Sequence, residues 1–133
     1  WMILCFLSEK KINIFGNGKQ VRDILHIDDL LKLFYLIFKK NKVLSRVYNV
    51  GGGRNNSISI LELLNYLEKN YKKKIKYSFN KARIGDQKLY ISDISRVRKE
   101  LNWIPKISKK KGIKLILDWM SKNLRAYKKA SII

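Results

Sequence analysis

The chain has 133 residues, 46% of them hydrophobic, and a formal net charge of +20 from 30 Lys and Arg against 10 Asp and Glu. That length allows one domain with a modest core, and that apolar content excludes a disordered tail. The single cysteine, Cys5, excludes a disulfide framework, no Cys/His spacing suits zinc, and a reducing, cytoplasmic setting is expected.

The charge invites a nucleic-acid reading. Its lysines, however, are scattered from Lys10 to Lys129 among many isoleucines and asparagines, the bias of an AT-rich coding sequence. The densest runs, Lys72 to Lys74 and Lys109 to Lys111, fall beside expected helix ends, where solvated charge is usual. No specific nucleic-acid partner is expected. The opening WMILCFL is too short an apolar run to span a bilayer and has no basic segment before it, so neither a membrane span nor a signal peptide is expected. A first residue other than Met reads as a sign of a fragment.

Residues 1–9 read as the end of a helix. Lys11 to Phe15 alternates as a short strand, and Gly16-Asn17-Gly18 is a turn that accepts positive φ. Ile24 to Ile27 is expected as a second strand, with Asp28 as N-cap of a helix from Asp29 to about Lys40. Leu30, Leu33, Phe34, Ile37 and Phe38 cover one broad face of that helix, extended by Leu31, Tyr35 and Leu36, which predicts that it is largely buried. Arg46 to Val50 reads as a strand running into Gly51-Gly52-Gly53. Ser59 and Glu62 have the spacing of a capping box, and they open a helix to about Tyr71 with Leu63, Leu64 and Leu67 inward. Ile75 to Phe79 and Leu89 to Ile91 are expected to be extended. Asp93 should cap a short helix ending near Leu101, with Asn102 left-handed and Pro105 preventing continuation. Ser108 should cap a last helix striped by Ile113, Ile116, Leu117, Met120 and Leu124. With no repeat or flexible linker, residues 1–133 read as one partial α/β domain.

Several motifs could carry chemistry. Gly51 to Gly53 follows an expected strand, but Arg54-Asn55-Asn56-Ser57 intervenes before any helix, so a dinucleotide fingerprint is not present, and no Walker A pattern exists. Tyr35 and Lys39 have the Tyr-x-x-x-Lys spacing of a dehydrogenase acid/base pair, on a helix whose other residues read as packing; the pair is rejected as catalytic. His26, the one histidine, has no triad around it and reads as structural. Arg22-Asp23 and Arg83-Ile84-Gly85-Asp86 remain. An arginine fork suits a diphosphate, because it makes bidentate charge-assisted bonds in fixed geometry. Asp23 and Asp86 could orient those arginines or accept sugar hydroxyls. On spacing alone, surface ion pairs are the favoured explanation of both motifs.

The ordered series Ile12-Asn13-Ile14-Phe15-Gly16, Gly18-Lys19-Gln20-Val21-Arg22-Asp23, Asp28-Asp29, Tyr48-Asn49-Val50-Gly51-Gly52-Gly53, Arg83-Ile84-Gly85-Asp86 and Leu101-Asn102-Trp103-Ile104-Pro105 resembles the C-terminal half of extended short-chain dehydrogenase/reductases. These are the NAD(P)-dependent nucleotide-sugar epimerases and dehydratases. Asn49 to Gly53 followed by Asn56-Ser57-Ile58-Ser59 is most similar to the CDP-paratose (CDP-tyvelose) 2-epimerase branch, and Gly85-Asp86-Gln87 leans the same way.

The resemblance implies an α/β fold: the substrate-binding portion of a Rossmann-type parent, with the Rossmann core largely absent from this chain. It implies that Asn13 and Phe15 pass the nucleotide base, that Arg22 and Arg83 bind the diphosphate, and that Asp86 reaches a ribose hydroxyl. NAD and the catalytic Tyr-x-x-x-Lys would belong to a missing N-terminal half. There NAD would take a hydride from the sugar and return it to the other face of the keto intermediate. A nucleotide-diphosphate sugar, that N-terminal half and a second copy of the parent are the expected partners. Two positions depart from the family: Ile84 stands where proline is usual, which predicts a looser loop around Arg83, and Asn102 stands for a glycine.

Overall fold

The computed structural model describes residues 1–40 and 47–129. The contacts of these residues divide into two compact units: 1–20, 59–88 and 113–129 form the first, and 21–40, 47–58 and 89–112 the second.

In the first unit, helix α1 (Met2–Leu7) leads into strand β1 (Ile12–Phe15), which pairs in parallel with strand β4 (Tyr77–Asn80). Between them lies helix α3 (Ile60–Tyr71). The two-residue period of β1 buries Ile12 and Ile14 against Cys5 and Leu64. The same period sends Asn13 and Phe15 to the opposite face. The β1 end turns through left-handed Gly16 and Gly18, as the two glycines predict. A Cβ on Gly18 would crowd Leu61, whose N–H donates to the Gly18 carbonyl at 3.0 Å, so the turn is pinned to the start of α3. That start is the expected capping box: the Glu62 N–H donates to Ser59 Oγ at 3.2 Å, and the Ser59 N–H donates to Glu62 Oε2 at 2.7 Å. Residues 113–129 of helix α5 (Lys109–Lys129) also belong here, with Ile113 and Leu117 buried; Ile116, expected in the same stripe, is exposed. Strand β4 starts two residues later and ends one later than the expected Ile75–Phe79, because its register is set by pairing with β1.

The second unit is built on strand β2 (Val21–Asp23), flanked by β3 (Ser57–Ser59) and β5 (Leu89–Tyr90). β2 and β5 are parallel, with Val21 opposite Leu89 and Arg22 opposite Tyr90. Helices α2 (Ile27–Lys39) and α4 (Ser95–Leu101) enclose a core of Leu33, Val97, Leu101 and Trp103, with Leu25, Ile37, Tyr48, Val50 and Ile94 against it. Asn102 is left-handed at φ 51°, as expected, and ends α4. Ser108 caps α5, accepting from the Lys111 N–H at 3.4 Å.

Five expectations are corrected in this unit. The second strand is Val21–Asp23 rather than Ile24–Ile27, because β5 offers its backbone to Val21 and Arg22. The N-cap of α2 is His26, whose Nδ1 accepts from the Asp28 N–H at 3.2 Å, so Asp28 and Asp29 sit inside the first turn. Helix α2 is not largely buried: Leu33 is enclosed, whereas Leu31, Phe34, Tyr35, Leu36 and Phe38 are exposed. Residues 47–50 are not in a strand, and Arg46, the first residue of that expected strand, lies outside the described residues. Asp93 acts one position earlier than a cap, since Ile94 is the N-cap of α4, yet its Oδ1 still accepts from the Ser95 N–H at 2.9 Å.

Candidate nucleotide-sugar site

The first unit brings together four of the five expected site residues. Asn13 and Phe15 occupy the outward face of β1, opposite Ser78 and Asn80 of β4. The Ser78 hydroxyl donates to Asn13 Oδ1 at 3.1 Å, which fixes the amide plane. Gln20 Nε2 donates to the Phe15 carbonyl at 2.7 Å, and the Gly16 N–H donates to the Asn80 carbonyl at 2.9 Å, so the end of β1 is held from two sides.

Past β4 the chain makes a turn over Arg83-Ile84-Gly85-Asp86. The Asp86 N–H donates to the Arg83 carbonyl at 3.3 Å, and Gly85 has φ +81° at the third position. That is the pattern of a type II turn, which needs positive φ at this glycine and favours proline just before it. Ile84 replaces that proline and points entirely into solvent. The hydrogen bond and Gly85 preserve the turn without the ring, so the expected loosening around Arg83 is offset.

This turn delivers Arg83 to β1. Its guanidinium carbon lies over the Phe15 ring, 4.0 Å from the centroid. A cation over an aromatic face gains about 0.5–1 kcal/mol when exposed, and a stacked guanidinium keeps its planar N–H fork for an anion. Phe15 and Arg83 thus meet on the face of β1 that also carries Asn13, and Asp86 closes the turn that delivers Arg83.

Arg22 belongs to the second unit. It sits on β2 opposite Tyr90, half-buried, with Nη1 donating to the Val21 carbonyl at 2.8 Å. Its neighbour Asp23 is scaffold: Oδ2 accepts from the Gly53 N–H at 2.9 Å and the Ser92 N–H at 3.2 Å. That carboxylate ties two loops to β2.

Sequence reasoning missed two further buried polar residues. Asp29 is 1% exposed; its Oδ2 accepts from the Lys106 and Ile107 N–H groups at 3.0 and 2.8 Å, and its backbone carbonyl accepts from Trp103 Nε1 at 3.1 Å. Asn56 accepts from the Lys109 N–H at 2.8 Å through Oδ1 and donates to the Ile107 carbonyl at 3.2 Å through Nδ2. These partners lie more than fifty residues away, beyond any local pattern. The Asp28-Asp29 and Asn56 positions of the recognised motif series were their one signal.

The glycine run does not fit a dinucleotide. Gly51 to Gly53 are buried, and a Cβ on Gly51 would overlap Ser92 and Asp23 while one on Gly52 would overlap the Ile24 carbonyl. Gly51 and Gly52 thus pack closely against the chain, while Gly52 and Gly53 also line a cleft. Tyr35 and Lys39 are exposed on α2, with the Lys39 ammonium 4.9 Å from the Tyr35 ring centroid, a surface contact. His26 is the cap described above. A cleft of about 830 Å³ in the second unit is lined by Arg54, Asp93, Arg98 and Lys106 among others, and none of the five expected site residues lines it. Among the described residues no group of His, Cys, Asp and Glu could hold a metal ion, and no helix is long and apolar enough to cross a membrane.

Comparison with known proteins gives this arrangement its class. The structure superimposes on a UDP-glucuronic acid 4-epimerase from Bacillus cereus, solved in complex with UDP-glucuronic acid and NAD, with a TM-score of 0.81 and 30% identity over 90% of this chain and 38% of that one. The fold is thus that of the extended short-chain dehydrogenase/reductases, the NAD-dependent nucleotide-sugar epimerases and dehydratases. Residues 3–116 match the family described as GDP-mannose 4,6 dehydratase. The chain belongs to that family.

Its similarity to a CDP-paratose 2-epimerase of Salmonella typhi is 35% identity over 113 residues, 84% of this chain and 33% of that protein. To a UDP-glucuronate 4-epimerase of Thermodesulfobacterium geofontis it is 36% over 125 residues, 94% of this chain and 38% of that protein. The chain thus spans between a third and two-fifths of the length of these curated relatives.

Proposed function

We propose that residues 1–133 form the nucleotide-sugar-binding region of an NAD-dependent epimerase acting at C2 of a CDP-linked dideoxyhexose. The observation that carries the binding role is the Arg83 guanidinium poised over Phe15, 4.0 Å from the ring centroid. In this reading the base lies along Asn13 and Phe15, Arg83 takes the diphosphate through its fork, and Asp86 accepts a ribose hydroxyl. Arg22 is a second diphosphate ligand, a role that rests on the family resemblance. Similarity to the Salmonella typhi 2-epimerase supports the choice of sugar and nucleotide.

These residues bind and orient; they contribute no acid, base or hydride. A bound NAD would supply oxidation and reduction of the sugar, and its site belongs to a portion outside residues 1–133. The isolated chain is therefore proposed to hold the nucleotide sugar without turnover. The complete enzyme is proposed to be cytoplasmic and homodimeric.

Titration calorimetry of the 133-residue chain with cytidine, CMP and CDP tests the reading. CDP is expected to bind at least about tenfold tighter than cytidine, because a charge-assisted arginine bond adds roughly 1.5–3 kcal/mol. Equal affinities would remove Arg83 from any phosphate role. A second reading, a UDP-glucuronate 4-epimerase, is favoured by the match to the Thermodesulfobacterium geofontis enzyme, which extends over 94% of this chain. Tighter binding of UDP-glucuronate than of CDP-glucose would select it.

A further inference from the structure

The open cleft of about 830 Å³ in the second unit takes no part in the nucleotide-sugar reading. Its three walls come from separate stretches of chain: Gly52 to Asn56, Leu89 to Arg98, and Ile104 to Ser108. Each wall is held by a polar side chain from elsewhere in the unit. Asp23 Oδ2 accepts from the Gly53 and Ser92 N–H groups, so one carboxylate ties the first wall to the second. Asn56 donates to the Ile107 carbonyl, which ties the first wall to the third. Asp29 accepts from the Lys106 and Ile107 N–H groups and fastens the third wall to α2. A concavity cross-linked in this way keeps its width without a ligand, and its volume falls among those of small-molecule sites, roughly 300–1,000 Å³. Leu89 and Ile91 line it whereas Tyr90 between them does not, as the two-residue period of an extended chain requires. The cleft thus opens on the side of β5 away from Tyr90, the residue opposite Arg22.

The lining selects the ligand. Ile91, Ile94 and Pro105 are half-buried in it, and Leu89 and Ile104 are more open. Arg54, Arg98 and Lys106, one from each wall, add three exposed cations. Among the described residues none of these three side chains has a hydrogen-bond or ion-pair partner. Arg98 follows Ile94 and Ser95 by four and three residues, so it shares their side of α4. Arg96, off that side, is engaged with Glu100 and the Val47 carbonyl. Asp93 is the one acid in the lining, and hydrogen bonds from Ser95 hold its carboxyl below the usual carboxylate range, so it stays ionised at neutral pH. Three cations against that carboxylate leave two positive charges unbalanced. A carboxylate ligand brings one charge and a planar pair of oxygens. A phosphate monoester brings nearly two charges and three oxygens, which cations from three walls can share. We propose that this cleft binds a small organic phosphate, with the phosphate among Arg54, Arg98 and Lys106 and the apolar body against Ile91, Ile94 and Ile104.

The test titrates the 133-residue chain with 1-naphthyl phosphate, inorganic phosphate and 1-naphthol by calorimetry. 1-Naphthyl phosphate should bind at least about tenfold tighter than either of the others, because it alone uses both the cations and the apolar lining. Arg54→Ala/Arg98→Ala should weaken it by about tenfold or more. Lys69→Ala/Lys122→Ala removes the same charge from exposed sites of the first unit and should weaken it less than about twofold. Equal losses in the two double variants would reduce the binding to the net charge of the chain and overturn the proposal. Absence of saturable binding would overturn it too. Arg83→Ala should leave the affinity unchanged; a loss there equal to that of Arg54→Ala/Arg98→Ala would move the phosphate to the nucleotide-sugar site and refute the cleft. Backbone amide shifts on titration should be largest at Gly53, Ser92 and Ile107, and shifts largest at Phe15 and Gly85 would refute it as well. Because the CDP reading stands on Arg83 and this one on Arg54 and Arg98, the two fail independently.

Discussion

Replacing Arg83 separates the two contributions that the guanidinium makes. Over the Phe15 ring at 4.0 Å it gains about 0.5–1 kcal/mol from the stack, an exposed cation–π contact. Through its N–H fork it would add roughly 1.5–3 kcal/mol on a diphosphate. Arg83→Ala removes the fork and should weaken CDP binding by about ten- to 150-fold, with cytidine affinity nearly unchanged. Phe15→Leu removes only the stack that holds the fork in place. Taken alone, that loss corresponds to about two- to fivefold. Arg83→Lys keeps the charge and loses the planar fork, so it should fall between the two. Calorimetry of the 133-residue chain with CDP reads all three, and urea unfolding in parallel shows that the exposed substitutions leave the fold intact. A Phe15→Leu loss equal to or larger than that of Arg83→Ala would refute the assignment of the diphosphate to Arg83. So would an Arg83→Ala loss of the same size for cytidine as for CDP.

Asp29→Ala should destabilise the chain by about 2–5 kcal/mol, because it leaves the Lys106 and Ile107 N–H groups without their charged acceptor. Asp28→Ala, at an exposed carboxylate 3.6 Å from His26, should cost less than about 1 kcal/mol; similar losses for the two in urea unfolding would contradict the tether. In the turn that presents Arg83, Ile84→Pro is expected to stabilise by about 0.4–1 kcal/mol by restricting the unfolded chain. Gly85→Ala, at φ +81°, should destabilise by about 1–2 kcal/mol. The reverse order in thermal melts would exclude a type II turn.

Local chemistry was legible without any structure. Ser59 and Glu62 form their capping box because both partners lie within one helical turn, and Gly16 and Gly18, which lack a Cβ, and Asn102, whose short polar side chain tolerates it, take left-handed φ. The alternation of Ile12 to Phe15 already placed Asn13 and Phe15 on one face, and the ordered motifs picked out Arg83 and Asp86 beside them. Tertiary structure decided whatever depended on a distant partner. Val21–Asp23 became the strand in place of the more apolar Ile24–Ile27 because β5, nearly seventy residues on, pairs there. Asp23 became scaffold because the Gly53 and Ser92 N–H groups needed an acceptor, and His26 displaced Asp28 as cap once the chain turned into α2 two residues earlier. Hydrophobic periodicity predicted a largely buried α2, and the structure corrects that. A periodic pattern records which side chains are apolar, whereas only packing shows that, among the described residues, Leu33 is enclosed while Phe34, Tyr35 and Phe38 are exposed.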